Sequence, residues 1–172
     1  MPLDKRTLID QLLKQLRHAD AVTQQAAADS RDAAANLATE SEKKEDGRAA
    51  IEFGSLATGQ AHRSRQLQAA VSALMQLKDD EVPRYSRRTP VGLGALVDVA
   101  VEDEDGEGGE RTFFVLPAGA GSELTGPGGD GYLSVITPVS PVGRALMGKR
   151  VGETVEVQIQ GEARVWTILD LA

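Results

Sequence analysis

The chain has 172 residues, no cysteine, 26 acidic against 19 basic side chains and a formal net charge of −7. That length makes one ordinary domain or two small ones, and the missing cysteines exclude a disulfide scaffold and a thiolate metal site. Charge divides unevenly. Residues 1–78 carry 11 Lys/Arg and 10 Asp/Glu, while residues 79–172 carry 8 and 16. So acidic a second half repels phosphate, which argues against independent DNA binding. No apolar run reaches the length of a membrane span, and the N-terminus lacks the apolar core of a signal peptide. A cytoplasmic protein without membrane contact is expected.

Asp4 is placed to cap a first helix, because a short carboxylate accepts hydrogen bonds from free backbone N–H groups. The apolar positions begin large, at Leu8, Ile9, Leu12, Leu13 and Leu16, then shrink to alanine through Ala19–Ala35. Steps of three and four run through Ile9, Leu12, Leu16, Ala19, Thr23, Ala26, Ser30, Ala33 and Leu37, the seam of a coiled coil. A helix over residues 5–41 spans roughly 55 Å. Glu45-Asp46-Gly47 reads as the break, with Gly47 in the turn and Asp46 capping the returning helix. A second seam follows through Phe53, Leu56, Gln60, Arg63, Leu67, Ala70, Leu74 and Leu77. Folding the seams together places Leu37 opposite Phe53, Thr23 opposite Leu67 and Leu16 opposite Leu74. Residues 1–78 are thus expected to form one antiparallel hairpin in a monomer, with an acidic tip near 42–47. Gly54 and Gly59 interrupt the second helix, either for close helix contact or for bending.

Residues 79–92 hold two prolines and a charge cluster, a linker. Beyond it the period changes to two. Strands are expected over Leu93–Val101, Thr112–Leu116, Tyr132–Thr137, Thr154–Ile159 and Arg164–Leu169. Glu102–Glu110 reads as a solvated acidic loop. Pro117–Gly131 is too rich in glycine for regular structure. Ser140 as N-cap and Pro141 in the first position start a short helix that Gly148 ends. The fold class is α+β: a helical hairpin, then a small, mainly antiparallel sheet with one helix, over residues 93–172.

The run Ile136-Thr137-Pro138-Val139-Ser140-Pro141-Val142-Gly143-Arg144-Ala145-Leu146-Met147-Gly148-Lys149, followed by Val151-Gly152-Glu153 and Val155-Glu156-Val157, closely resembles the C-terminal signature of bacterial Gre transcript cleavage factors. The resemblance implies a coiled-coil hairpin followed by an FKBP-like domain. It implies RNA polymerase as the partner: the globular domain docks at the rim of the secondary channel and the hairpin enters it. Ser140, Pro141, Gly143, Arg144 and Lys149 are then the candidate partner-binding residues. Acidic tip residues reach the polymerase active site, help hold its second Mg²⁺ and orient a water that cleaves the 3′ end of backtracked RNA. The factor has no cofactor of its own and is not itself an enzyme. The tip departs from the family. Its usual arrangement resembles Gly-Asp-Leu-x-Glu-Asn-x-Glu-Tyr. Aligned on Glu52-Phe53, the family's Asp falls on Asp46 and its Glu falls on Ala49. Asp46 is the first candidate, Glu45 the second and Glu42 the third.

The altered tip motivates a second reading, a regulator that occupies the channel without promoting cleavage. A prolyl isomerase is a third, resting on fold analogy alone. The bland readings are solvated turn residues for the tip acids and a structural capped helix for Ser140–Lys149. Lys43, Lys44 and Arg48 read as charge balance or RNA contacts. His18 and His62 stand apart from other metal-ligand types, and Trp166 reads as core.

Overall fold

The computed structural model describes residues 4–40, 44–102, 109–126, 131–159 and 161–172, with backbone alone for 38–40, 44–46, 102 and 159. Helix α1 spans Lys5–Glu40 and α2 spans Lys44–Asp79. Six strands follow: β1 (Leu96–Glu102), β2 (Gly109–Val115), β3 (Glu123–Thr125), β4 (Tyr132–Ile136), β5 (Thr154–Ile159) and β6 (Glu162–Leu171). The short helix α3 (Pro141–Leu146) lies between β4 and β5. The chain packs as two compact units, residues 13–72 and residues 1–12 with 73–172.

The unit 13–72 is the two-helix hairpin. Its α1 face follows the expected seam at Leu16, Thr23 and Ser30, which are buried, while Ala27 is buried in place of the expected Ala26. The α2 face does not. Ala57 and Ser64 are buried, whereas Leu56 and Arg63, one residue earlier, are exposed. Asp20 explains the choice. Its carboxylate accepts from the Ser64 hydroxyl at 2.5 Å and from the Gln68 amide at 3.2 Å. The buried polar side chain of this stretch of α2 is therefore Ser64, which Asp20 satisfies, and Arg63 is exposed.

The pairing is shifted as well. Asp20 lies level with the stretch between Ser64 and Gln68, about one turn from the Ala70 level that a Thr23–Leu67 pairing requires. The break accounts for it. Helix α2 begins at Lys44, so Glu45, Asp46 and Gly47 belong to its first turn, and Asp46 is not its N-cap. Acidic residues suit that turn, where the helix dipole is positive. The midpoint between the helices therefore falls earlier in the chain, and every cross-hairpin pair slides with it.

Gly54 and Gly59 sit within α2, and an added Cβ would meet nothing within 4 Å at either. Close helix approach is not their reason. Each costs up to about 1 kcal/mol relative to alanine. Gly54→Ala with Gly59→Ala will stabilise the hairpin by roughly 1–2 kcal/mol, read as a higher urea midpoint in helical circular dichroism. An unchanged midpoint would show that the glycines permit a bend that alanine opposes.

The second unit is built on one sheet in the order β3-β4-β2-β1-β6-β5. All pairs are antiparallel except β2 with β4. β3 lies within Pro117–Gly131, the stretch expected to be irregular. It is only three residues long, too short to leave an alternating signature, and its Leu124 is buried beside β4. One face of the sheet holds Val97, Val99, Val101, Phe113, Val115, Val155, Val157, Trp166 and Ile168, with Leu146 of α3 against them. Trp166 and Phe113 stack with ring centroids 5.4 Å apart. The indole N–H finds no acceptor among the described residues, and the burial of two large rings outweighs that cost.

Chain ends complete this unit. Asp4 caps α1, accepting from the Arg6 N–H at 3.1 Å and the Thr7 hydroxyl at 2.7 Å. These bonds, the Thr7 one first, hold its carboxyl below the ordinary value. Gln11 pairs its amide with both backbone groups of Thr125, at 3.0 and 3.1 Å, closing the outer edge of β3 as a further strand would. Leu12 packs on Gly119, where a Cβ would come within 2.8 Å of it. The linker is likewise packed. Val82 and Val91 are buried, and the Tyr85 hydroxyl donates to the Leu93 carbonyl at 2.8 Å.

Lys5 donates to the Pro83 carbonyl at 2.8 Å, with its ammonium 5.1 Å from the Tyr85 ring centroid. Partial burial lowers its pKa from 10.5 to about 8. Between those values the unfolded chain binds more protons than the folded one, so this group adds stability as pH rises through the window. Thermal midpoints of wild type and Lys5→Gln, compared at about pH 7.5 and about pH 9.5, check this. Wild type will gain on the variant at the higher pH, and a gap independent of pH refutes the assignment.

Candidate functional site

The acidic tip is bounded by the end of α1 at Glu40 and the start of α2 at Lys44. Glu42, and the side chains of Glu45 and Asp46, lie outside the described residues. Backbone placement puts Glu45 and Asp46 in the first turn of α2. On the same helix Arg48 and Ile51 are exposed, as is Phe53, while Ala49 is half-buried. Large apolar side chains thus face water close to the tip: Ile51 is 71% exposed and Leu56 49%.

The second candidate region runs from Thr137 to Glu153. Ser140 holds extended backbone before α3. Its hydroxyl donates to the Thr137 carbonyl at 2.8 Å and accepts from the Gly143 N–H at 3.1 Å. Both functions of that hydroxyl are thereby used within the fold. Pro141 follows at the first helical position, where a missing N–H costs nothing. Gly143 is buried, and a Cβ there would lie 1.9 Å from the Thr137 carbonyl oxygen. The helix ends at Leu146, with Met147 as C-cap and Gly148 at φ 78. Gly148 donates to the Val91 carbonyl at 2.9 Å, and Val91 donates back to Lys149 at 2.7 Å. Glu153 then accepts from the Arg150 N–H at 2.6 Å and lies 3.9 Å from the Lys149 ammonium.

The five partner-binding candidates therefore divide. Ser140 and Gly143 shape the loop from inside. Pro141, Arg144 and Lys149 are exposed, and Val139, 77% exposed, stands beside them. Arg150 is exposed on the same turn and was not among the candidates. Its signal was the adjacent Lys149-Arg150 pair in an otherwise acidic half.

A groove of about 640 Å³ is lined by Lys5, Arg6, Glu81, Pro83, Arg84 and Tyr85. Among the described residues no group of three or more His, Cys, Asp or Glu could hold a metal ion, and no helix is long and apolar enough to cross a membrane.

Residues 88–172 match the family model described as transcription elongation factor, GreA/GreB, C-terminal. No curated protein matches the chain. Among solved structures, Gfh1 of Thermus aquaticus is similar at 20% identity, over 94% of this chain and 92% of that one, with a TM-score of 0.38. GreA factor homolog 1 (Gfh1) of Thermus thermophilus is similar at 17% identity, over 95% and 94%, with a TM-score of 0.34. The family match covers the whole sheet, the capped helix α3 and the Gly148–Glu153 turn. Residues 88–172 are therefore a GreA/GreB C-terminal domain of the transcription elongation factor type.

Proposed function

We propose that the protein binds RNA polymerase as a monomer in the cytoplasm, inserts its hairpin into the secondary channel and stimulates cleavage of backtracked RNA. The observation that carries this reading is the pairing, in one chain, of a Gre C-terminal domain with a helical hairpin whose turn is acidic in sequence. The polymerase performs the hydrolysis. The polymerase's second Mg²⁺ would supply a polarised water and offset charge in the transition state. Asp46, then Glu45 and Glu42, offer hard oxygen ligands to that ion, which binds through one or two carboxylates and keeps waters. Pro141, Arg144 and Lys149 contact the rim of the channel, and Ser140 and Gly143 hold the loop that presents them. Contact with the RNA 3′ end is indirect.

Purified polymerase stalled in a backtracked complex tests this. Added protein accelerates release of short 3′ RNA fragments on the proposal, and an unchanged rate sinks the cleavage step. A second reading is favoured by one position: Ala49 stands where the family's glutamate falls. On that reading the protein occupies the channel and inhibits polymerase or alters initiation. Competition with a cleavage-active Gre factor, without cleavage of its own, would support it.

A further inference from the structure

Three cationic side chains, Lys5, Arg6 and Arg84, line the groove of about 640 Å³ together with Pro83 and Tyr85. The start of α1 brings the first two and the linker brings the third. None of the three has a carboxylate within ion-pair distance among the described residues. Lys78, by contrast, pairs with Asp10, and Lys149 with Glu153. Two carboxylates also line the groove. Asp4 is engaged by the Arg6 N–H and the Thr7 hydroxyl, and Glu81 is exposed. Lys5 is held in place. Its nitrogen donates to the Pro83 carbonyl at 2.8 Å and stands 5.1 Å from the Tyr85 ring centroid. An N–H takes the direction toward Pro83, so the lone pair of the neutral amine points elsewhere.

We infer that this groove is a modification site in which Lys5 is acylated by small acyl phosphates. The Lys5 nitrogen attacks the acyl carbon. A C–N bond forms and the bond from that carbon to the bridging phosphate oxygen breaks. Inorganic phosphate leaves with the electron pair, and the displaced amine proton passes to water. Arg6 and Arg84 suit this donor, because guanidinium forks pair with phosphate oxygens through parallel bonds. The surroundings of Lys5 supply the reactivity. Burial lowers its pKa from 10.5 to about 8, since desolvation penalises the ammonium and frees the nucleophile. At pH 7.5 about a quarter of it is then neutral, against roughly one part in a thousand for an ordinary lysine. Nucleophilicity falls with basicity, which cuts the advantage to about tenfold. The other charged or titratable groups lining the groove are Asp4, Arg6, Glu81, Arg84 and Tyr85. Burial moves Tyr85 upward, away from the pH window in which Lys5 loses its proton.

Full-length protein is incubated with acetyl phosphate or with p-nitrophenyl acetate between about pH 7 and about pH 10. Tandem mass spectrometry follows each lysine and resolves Lys5 from the α-amino group. At about pH 7.5 acetyl phosphate will modify Lys5 about tenfold faster than Lys14, an exposed lysine of α1. The Lys5 rate will level off above about pH 8, while the Lys14 rate keeps rising. Arg6→Gln with Arg84→Gln will lower the acetyl phosphate rate at Lys5 about tenfold relative to the p-nitrophenyl acetate rate, because the second donor carries no phosphate. Trp166 fluorescence melts confirm that the variant is folded. If Lys5 reacts with acetyl phosphate no faster than Lys14, the inference is overturned. If the double variant keeps the wild-type rate, or slows both donors alike, the groove does not recognise phosphate and the inference is equally overturned. None of these outcomes involves polymerase, so the proposed function stands or falls separately.

Discussion

Gly143→Ala will destabilise the C-terminal domain by about 3 kcal/mol, the upper range for forcing atoms into a packed site. The new Cβ would sit 1.9 Å from the Thr137 oxygen and 2.8 Å from its carbonyl carbon. Both are backbone atoms, so no rotamer change relieves the clash. The loop must open, and opening it breaks the Ser140–Gly143 and Ser140–Thr137 hydrogen bonds together. Trp166 is the only tryptophan and lies in the sheet core, so its fluorescence follows this domain alone. A thermal midpoint lowered by more than about 10 °C is expected for a domain of this size. Gly148→Ala is the informative companion. A Cβ there meets open space, but the backbone holds φ 78. Its cost is therefore conformational only, about 1 kcal/mol. Equal effects from the two variants, or a Gly143→Ala protein as stable as wild type, would show that the loop yields more readily than its geometry implies.

Asp46→Asn will reduce stimulated RNA cleavage by roughly 10- to 100-fold, the range seen when groups that orient a metal site are disturbed. Asparagine keeps the size and one acceptor oxygen and removes the charge that draws a hard cation. Glu45→Gln is expected to follow with a smaller loss, and Glu42→Gln with the smallest. The order matters because, of these three, only Asp46 falls on an acidic position of the family's tip arrangement. Restoring the missing glutamate, Ala49→Glu, sharpens the test. If the protein is a weakened cleavage factor, that change raises the rate. If Asp46→Asn cleaves as fast as wild type, the tip acids are turn residues and nothing more. If no variant and no wild-type protein cleaves, yet all compete for the channel, the protein is a regulator of the non-cleaving kind.

Much of this architecture is determined locally, and the sequence alone was enough to read it. Asp4 before a helix, Ser140-Pro141 before another and Gly148 after it are signals carried by single residues and their own backbone, and each stands where it was expected. Alternation along Val97, Val99 and Val101 marks a strand because side chains on a strand alternate faces regardless of what covers them. The C-terminal signature is legible for the same reason: its prolines and glycines answer to the loop they sit in. What depends on a distant partner was not legible. Leu56 is a better seam residue than Ala57 by hydrophobicity, yet Ala57 is buried, because the rotation of α2 is set where Asp20 meets Ser64 and Gln68. The short strand β3 exists because β4 and the amide of Gln11 satisfy its backbone from both sides. The segment carrying Arg87 and Arg88 and the turn at Lys149 are far apart in the chain and meet only when Val91 pairs with Lys149. Caps, turns and periods are properties of neighbours in sequence. Register, edge closure and the meeting of distant segments are properties of neighbours in space, and only the folded chain decides those.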